Sequence, residues 1–541
     1  MGTVDKKNNR QSDSLLKGAL ILSVGGMVVK VIGFLNWIIL SRVLGGEGIG
    51  LYQMAFPIYL LALSLSSAGI PVAISIITAE KVAHGDYQGA NRVFTLSLKI
   101  LALSGFVLSC GVYFGAGWLI ENQIIRDPRA YSAIVALAPA IFFVTMLSSF
   151  RGYLQGWQMM TPTAVSQIVE QLFRVGAMLI FASLLLPQGL EYAAGGASMG
   201  AGAGAVAGLL VLIFYYFRLQ RNLVNSSIGE QNVNSEGSAG IVRRMVKLAF
   251  PVSMASLMLP VVSNLDLFIV PVRLEAAGYS VEEATELFGY LTGMAVPLLN
   301  LATIITAALA TSLVPGLAEV KSIGNKLQIK QRTAAAVRLA LLVTVPASMG
   351  LAVLATPLAS AVYHAPEAGP IVQIVAAGVC LLGIHQVSTG ILQGLGHTTL
   401  PVVNMGAAAL VKVGLNWTLT ARPELGILGS AWATNADIGV AAVLNMVFVY
   451  RYTGFRLNFT GAVKIIFAAI VMSSVLFEAN SIILRTVDAL TAIFADMIIA
   501  MGVYGVVLLF LGELTEQDLQ RIPVAGRYLV RFAYASRLYK R

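Results

Sequence analysis

Between Arg151 and Arg174 the sequence reads RGYLQGWQMMTPTAVSQIVEQLFR, an apolar segment carrying more polar chemistry than a hydrocarbon environment tolerates. A helix starting near Pro162 sets Gln167, Glu170, Gln171 and Arg174 at i, i+3, i+4 and i+7, so all four project from one face over two turns. An ionised side chain near a bilayer centre costs about 2.5 to 3.5 kcal/mol on insertion scales, so that face must look into protein or a wet cavity. Glu170 precedes Arg174 by four residues, the favourable order for an ion pair on one helix. Two readings stay open here: a local bridge that makes the helix insertable, and direct contact with a transported molecule.

Other basic residues fall inside apolar stretches. Lys99, Arg338 and Lys464 sit within about two turns of a cytoplasmic end and can snorkel to the interface. Lys30, Arg174 and Lys412 lie deeper. A cavity with surplus positive charge suits an anionic ligand such as a diphosphate head group, because guanidinium and ammonium groups give charge-assisted hydrogen bonds to phosphate oxygens. Acids are fewer: Glu170, Asp266, Asp437, Glu478 and Asp496. Neither Asp266 nor Lys412 has an opposite charge one turn away on its own helix, so the two are expected to meet as a coupling pair, with Thr434 and Asn416 as polar neighbours. Arg151 and Gln155 fall in a loop running from Arg151 to Pro162, where they are expected to form part of an inward gate.

Several chemistries are excluded. His84, His364, His385 and His397 are scattered without metal-ligand spacing, so no metal and no other cofactor is expected. Cys110 and Cys380 lie in apolar segments as small hydrophobes. No glycine-rich loop ends in Gly-Lys-Ser/Thr, which argues against ATP hydrolysis and leaves ion gradients or membrane potential as energy sources. Catalysis has no obvious home, and the protein is read as a transporter rather than an enzyme.

The elements that hold these residues are membrane helices. Of 541 residues 57% are hydrophobic and only 11% charged, and the mean hydropathy is +0.80. A hydrocarbon core about 30 Å thick needs about 20 apolar residues per helix, and about fourteen such segments recur from Leu15 to Leu511. The second reads as 50–78 and the eighth as 286–313, each uninterrupted. The runs are too long and too continuously apolar for a barrel, so the fold class is an all-α polytopic membrane protein. The polar N-terminal MGTVDKKNNRQSDS lacks a signal-peptide pattern and is expected to stay on the mature protein. Lys and Arg gather in alternate loops and in the C-terminal tail, which places both termini in the cytoplasm. The same bias accounts for the net charge of +10, so no nucleic-acid partner is expected.

A polar, Gly/Ser-rich stretch at 218–244 divides twelve spans into two lobes of six, 1–217 and 245–450, followed by two appended spans at 451–511 and a tail at 512–541. Tyr528, Leu529, Phe532 and Leu538 interleave with Arg527, Arg531 and Arg537 in that tail, a pattern for lying on the anionic lipids of the inner leaflet. Gly152-Tyr-Leu-Gln155-Gly156 and Gly390-Ile-Leu-Gln393-Gly394 echo each other, and Arg174 lies as far beyond Gly152 as Lys412 lies beyond Gly390. Such internal duplication is common in transporters that bind cargo between two repeats.

The segments KGALILSVGGMVVKVIGFLN at 17–36, GEGIGLYQMAFP at 46–57, the 151–174 stretch, ARPELGILGSAWA at 421–433 and LQRIPVAGRYL at 519–529 carry a family resemblance. The chain resembles the stage V sporulation protein B group of bacterial polysaccharide transporters, within the multidrug, oligosaccharidyl-lipid and polysaccharide exporter superfamily. The resemblance implies a two-lobed fold, alternating access, and an undecaprenyl-diphosphate-linked peptidoglycan precursor as cargo, for spore cortex synthesis. It also implies that Lys30 lines a cationic cavity; relatives often carry a second basic residue just after the Gly33-Phe34 pair, where this chain has Asn36 and Trp37. In related flippases a region like that around Lys412 can bind a cation, for which the lysine would stand in, and the last two helices form a groove for the lipid tail. A multidrug exporter would prefer an acid-rich cavity, and a scaffold recruiting peptidoglycan synthases would leave cargo orientation unchanged.

Overall fold

The computed structural model describes residues 2–67, 69–225, 237–484 and 487–514. Every regular element among them is helical. Thirteen helical stretches are long and apolar enough to cross a membrane. Their number falls one short of fourteen because the first two expected spans form a single stretch, Gly25–Ala83, of 59 residues. Straight, it would extend about 90 Å, three times the hydrocarbon thickness. Gly45 breaks it with φ 66° and ψ −174°, a backbone open to glycine and strained for other residues.

Two compact units divide the chain after Gly289. The first contains α1 (Gly2–Ser67), α2 (Ile70–Ala83), α3 (Tyr87–Glu121), α4 (Tyr131–Gly156), α5 (Met160–Leu185), α6 (Leu190–Asn225), α7 (Ser238–Ala276) and α8 (Val281–Gly289). The second contains α9 (Val296–Ala302), α10 (Ile304–Ser322), α11 (Lys326–Val353), α12 (Ala355–Leu358), α13 (Gly369–Gly394), α14 (Thr399–Leu419), α15 (Ile427–Thr453), α16 (Phe459–Ile483) and α17 (Ala489–Phe510). The expected eighth span, 286–313, is not one helix. A π-helical turn, Tyr290–Ala295, and a break at Thr303 interrupt it, because hydropathy records apolar composition and not continuity of the hydrogen-bond ladder. Most of the linker core, 226–236, and the amphipathic tail from 515 onward, including Arg527, Tyr528, Leu529, Arg531, Phe532, Arg537 and Leu538, lie outside the described residues.

The internal echo in the sequence is an echo in geometry. In the first unit α4 packs on α2, α3 and α6, and in the second α13 packs on α10, α11 and α15. A Cβ on Gly152 would stand 2.6 Å from the Pro71 carbonyl oxygen, and one on Gly390 would stand 2.5 Å from that of Ala310. Both helices then end in the same turn. Gln158 and Gly396, each six residues beyond the matched glycine, are left-handed, with φ of 58° and 79°. The amide of Gln158 donates to Gln155 O at 2.8 Å and that of Met159 to Leu154 O at 3.0 Å; Gly396 and His397 repeat the pattern at 2.9 Å each. This is the Schellman arrangement that closes a helix.

That turn corrects the expected loop. Arg151 and Gln155 are helical residues of α4, and only residues 157–159 connect it to α5. The sequence reading stopped the span at the charge of Arg151, whereas the helix continues because this side chain is neutralised by a neighbouring helix.

Candidate functional site

The first unit builds the site on α4 and α5. Phe150 and Tyr153 are buried in an aromatic cluster around Phe94, whose ring centroid lies 4.9 and 4.7 Å from theirs, with Tyr216 at 4.8 Å. Locking those two residues against α3 and α6 leaves Arg151, between them, to reach α5. Its Nη2 donates to Glu170 Oε2 at 2.8 Å, and Nε and Nη2 reach Ser166 Oγ at 3.3 and 3.2 Å. Glu170 Oε1 accepts from Arg174 Nη2, also at 2.8 Å. One carboxylate therefore bridges two guanidinium groups, with side chains exposed by only 12% for Glu170, 19% for Arg151 and 20% for Arg174. The trio carries net positive charge.

The bridge leaves donors over. Arg174 Nε is buried and has no hydrogen-bond acceptor among the described residues. Tyr59 on α1 lies within hydrogen-bonding reach of the same guanidinium, and Tyr52, one step along a stacked row with Phe56, lies close by.

Lys30 approaches from α1, which runs parallel to α5. Gly25 faces Ala164, Gly33 faces Gln171 Nε2, and Asn36 Nδ2 contacts Met178 Sδ at 3.0 Å. Lys30 is one turn before Gly33 on the same helical face, which sets it at the level of Gln167 to Gln171. It is exposed, and Gln167 and Gln171 are half-buried. The structure thus brings Arg151, Glu170 and Arg174 into contact, with Gln167 and Gln171 on the same face of α5 and Lys30 on the neighbouring α1. Gln155 stands aside, its Nε2 at 3.5 Å from Thr163 Oγ1 across the α4–α5 turn.

The sequence reading missed a stripe of glycines that positions α5. Gly196, Gly200, Gly204 and Gly208 recur every four residues on one face of α6. Cβ atoms at the first three would stand 2.6, 2.6 and 2.5 Å from the carbonyl oxygens of Phe181, Arg174 and Glu170, and one at Gly208 would be 3.2 Å from that of Ser166. Close backbone approach of this kind is the use of a Gly-x-x-x-Gly repeat in membrane helices, and the four-residue period was the available signal.

A second polar cluster in the same unit joins elements distant in sequence. Buried Asp127 accepts from Arg129 Nη2 at 2.7 Å and from Thr285 Oγ1 on α8 at 2.8 Å, and Arg129 Nη1 reaches Glu47 at 2.5 Å. Arg126 pairs with Glu275 at 3.4 Å. Glycines bring the backbones together here too, with Gly50 against the Thr285 carbonyl and Gly289 against that of Gly46.

The other expected site residues sit on other helices. Asp266 is half-buried on α7 of the first unit. Lys412 and Asn416 are buried on α14 of the second unit, and Thr434 is half-buried on α15. Asp496 on α17 is fully buried and accepts from Asn480 Nδ2 at 2.5 Å, while Glu478 is exposed. Among the described residues no group of three or more His, Cys, Asp or Glu side chains could hold a metal ion.

Comparisons with known proteins agree with this architecture. Residues 15–321 match the family described as "Polysaccharide biosynthesis protein", and residues 292–418 match the MatE family. Stage V sporulation protein B of Bacillus subtilis (strain 168) is 31% identical over 96% of this chain and 99% of its own length. Lipid II flippase MurJ of the same organism is 24% identical over 93% of this chain and 95% of its own. A solved structure of "Lipid II flippase MurJ, inward closed conformation" shares the fold at TM-score 0.68 and 15% identity, covering 93% of this chain and 100% of the other.

Proposed function

The chain belongs to the polysaccharide biosynthesis protein family and is a multi-pass membrane transporter of the flippase and exporter class; from that premise we propose that its cargo is an undecaprenyl-diphosphate-linked peptidoglycan precursor, moved outward by alternating access. The observation that carries this reading is the bridged pair Arg151–Glu170–Arg174 with Lys30 at the same level. Glu170 holds two guanidinium groups in place in a poorly hydrated site, so they meet a ligand already oriented. The unused Nε–H of Arg174 and the ammonium of Lys30 supply charge-assisted hydrogen bonds to diphosphate oxygens. Gln167 and Gln171 add neutral donors and acceptors along the same face, suited to sugar hydroxyls.

A cationic cavity disfavours the organic cations expected of a multidrug exporter. In this reading both termini are cytoplasmic, which the Lys and Arg distribution supports. The last turns of α4, which carry Arg151 and Gln155, then belong to the inward gate. The similarity to the sporulation protein supports a role in spore cortex synthesis.

The test is a reconstituted flipping assay with a defined lipid-linked oligosaccharide. Outward movement by the wild-type protein, lost in Arg174→Ala at equal incorporation, is the expected result. Unchanged cargo orientation with wild-type protein would instead favour the scaffold reading, in which the chain recruits peptidoglycan synthases.

A further inference from the structure

The second unit contains a cavity of about 340 Å³ between α11, the connection into α16, and the segment after α17. Its lining residues all belong to this unit, and no part of the proposed transport cycle uses it. The lining includes the cationic Arg338 and Arg456 and the apolar Leu341, Phe455 and Ile465. Arg338 is held by Glu513, through its carboxylate at 3.2 Å and through its backbone carbonyl. The same carboxylate lies over the first turn of α16, 3.0 Å from where a Cβ of Gly461 would stand. Arg456 is exposed, with its guanidinium 5.9 Å from the centre of the Tyr450 ring.

This arrangement already holds an anion. The carboxylate of Glu513 occupies a spot favoured by one guanidinium and by the positive end of a 25-residue helix, while a second, exposed guanidinium, that of Arg456, lines the same cavity. The level is right for a headgroup. α16 begins and α17 ends here, and Lys326, Lys330 and Arg332 mark the polar start of α11 nearby.

We propose that this cavity binds the phosphate of an anionic phospholipid from the adjoining leaflet. Arg456 contacts the phosphate first, and Arg338 exchanges its carboxylate partner for it. The apolar walls take the glycerol and upper acyl region, which a free phosphate ion would leave unfilled, and basic pockets between membrane helices are suited to such headgroups. Occupancy would release the Arg338–Glu513 tie between α11 and the end of the appended helix pair.

Purified full-length protein would be given phosphatidylglycerol, phosphatidylcholine or inorganic phosphate, with retained lipid counted by native mass spectrometry and stability followed by thermal shift. Phosphatidylglycerol should be retained and should raise Tm, phosphatidylcholine should not, and inorganic phosphate should not displace the bound lipid. Arg456→Ala should weaken retention about tenfold, the loss of one charge-assisted contact. Glu513→Gln should strengthen it, because the competing carboxylate is gone; a purely structural role for Glu513 predicts no gain. Equal retention of the two lipids, displacement by free phosphate, or an unchanged Arg456→Ala variant would each overturn the site. Should Glu513→Gln fail to fold, the Arg456 variant and the lipid comparison decide alone. Binding is read without transport, so failure here leaves the proposed cargo untouched.

Discussion

Arg151 of α4 and Glu170 of α5 meet at 2.8 Å, nineteen residues apart in sequence, and through that contact the carboxylate becomes a bridge rather than half of a local pair. Both readings of the Glu170–Arg174 spacing are therefore relevant: the bridge exists, and it leaves positive charge over. Removing its centre should be severe. Glu170→Gln strands two largely buried guanidinium groups, and breaking a buried pair by deleting one partner costs about 3 to 5 kcal/mol. The expected outcome is a marked fall in Tm in detergent, partly recovered in Glu170→Gln with Arg151→Gln, where one of the stranded charges is gone too. Additive losses in the double variant would show that the two residues act independently.

Lys30 is expected to behave in the opposite way. It is exposed, so Lys30→Ala should change stability by no more than about 0.5 kcal/mol, yet it should abolish transport if the ammonium meets the cargo. Complementation of a strain lacking the native protein, scored beside membrane abundance, separates the two effects. Near-normal complementation would remove Lys30 from the site.

How much of this was legible in the sequence depends on the range of each interaction. The polar face of α5 is a matter of helical period, and the structure keeps Gln167, Glu170, Gln171 and Arg174 on one side as expected. Arg151 was misplaced because its helix runs past the point where apolar composition ends, and the carboxylate that permits this lies on another element. The same limit explains the broken 286–313 segment, since composition does not report where hydrogen bonding changes register. The glycines of α6 were legible and were overlooked in a segment read only for hydropathy.

That glycine stripe gives a controlled test. A Cβ on Gly204 would collide with the Glu170 carbonyl oxygen at 2.5 Å, whereas the nearest atom to one on Gly202 is at 4.0 Å. Gly204→Ala should push α5 away and displace Glu170 and Arg174, costing about 1 to 3 kcal/mol as overpacking does. Gly202→Ala should be neutral or slightly stabilising, because alanine is the better helix former. Thermal unfolding of the two variants side by side checks this, and similar Tm values would mean that the α5–α6 seam yields without strain.

The last prediction concerns the cluster at Asp127. Although α8 lies in the second half of the duplicated sequence, it packs in the first unit, against the part of α1 that follows Gly45. Two devices hold it there. Glycines at Gly46, Gly50 and Gly289 allow the backbones to touch, and Asp127 accepts from Thr285 on one side and Arg129 on the other. Backbone contact between small residues is a weak attraction taken singly, whereas a buried carboxylate with charge-assisted hydrogen bonds is the stronger restraint. Asp127→Asn keeps the shape and the bond from Thr285 but removes the charge that holds Arg129. Thr285 is the side chain that ties α8 to the cluster, so Thr285→Val, which removes that bond, should be the variant that frees α8. Hydrogen exchange followed by mass spectrometry should show faster exchange across 281–289 in this variant, with α5 protected as in the wild type. Asp127→Asn should give a smaller change in the same segment, since the bond from Thr285 survives. If exchange in α8 were unchanged while α5 lost protection, the Asp127 cluster would be a support for the whole unit and not a tie specific to α8.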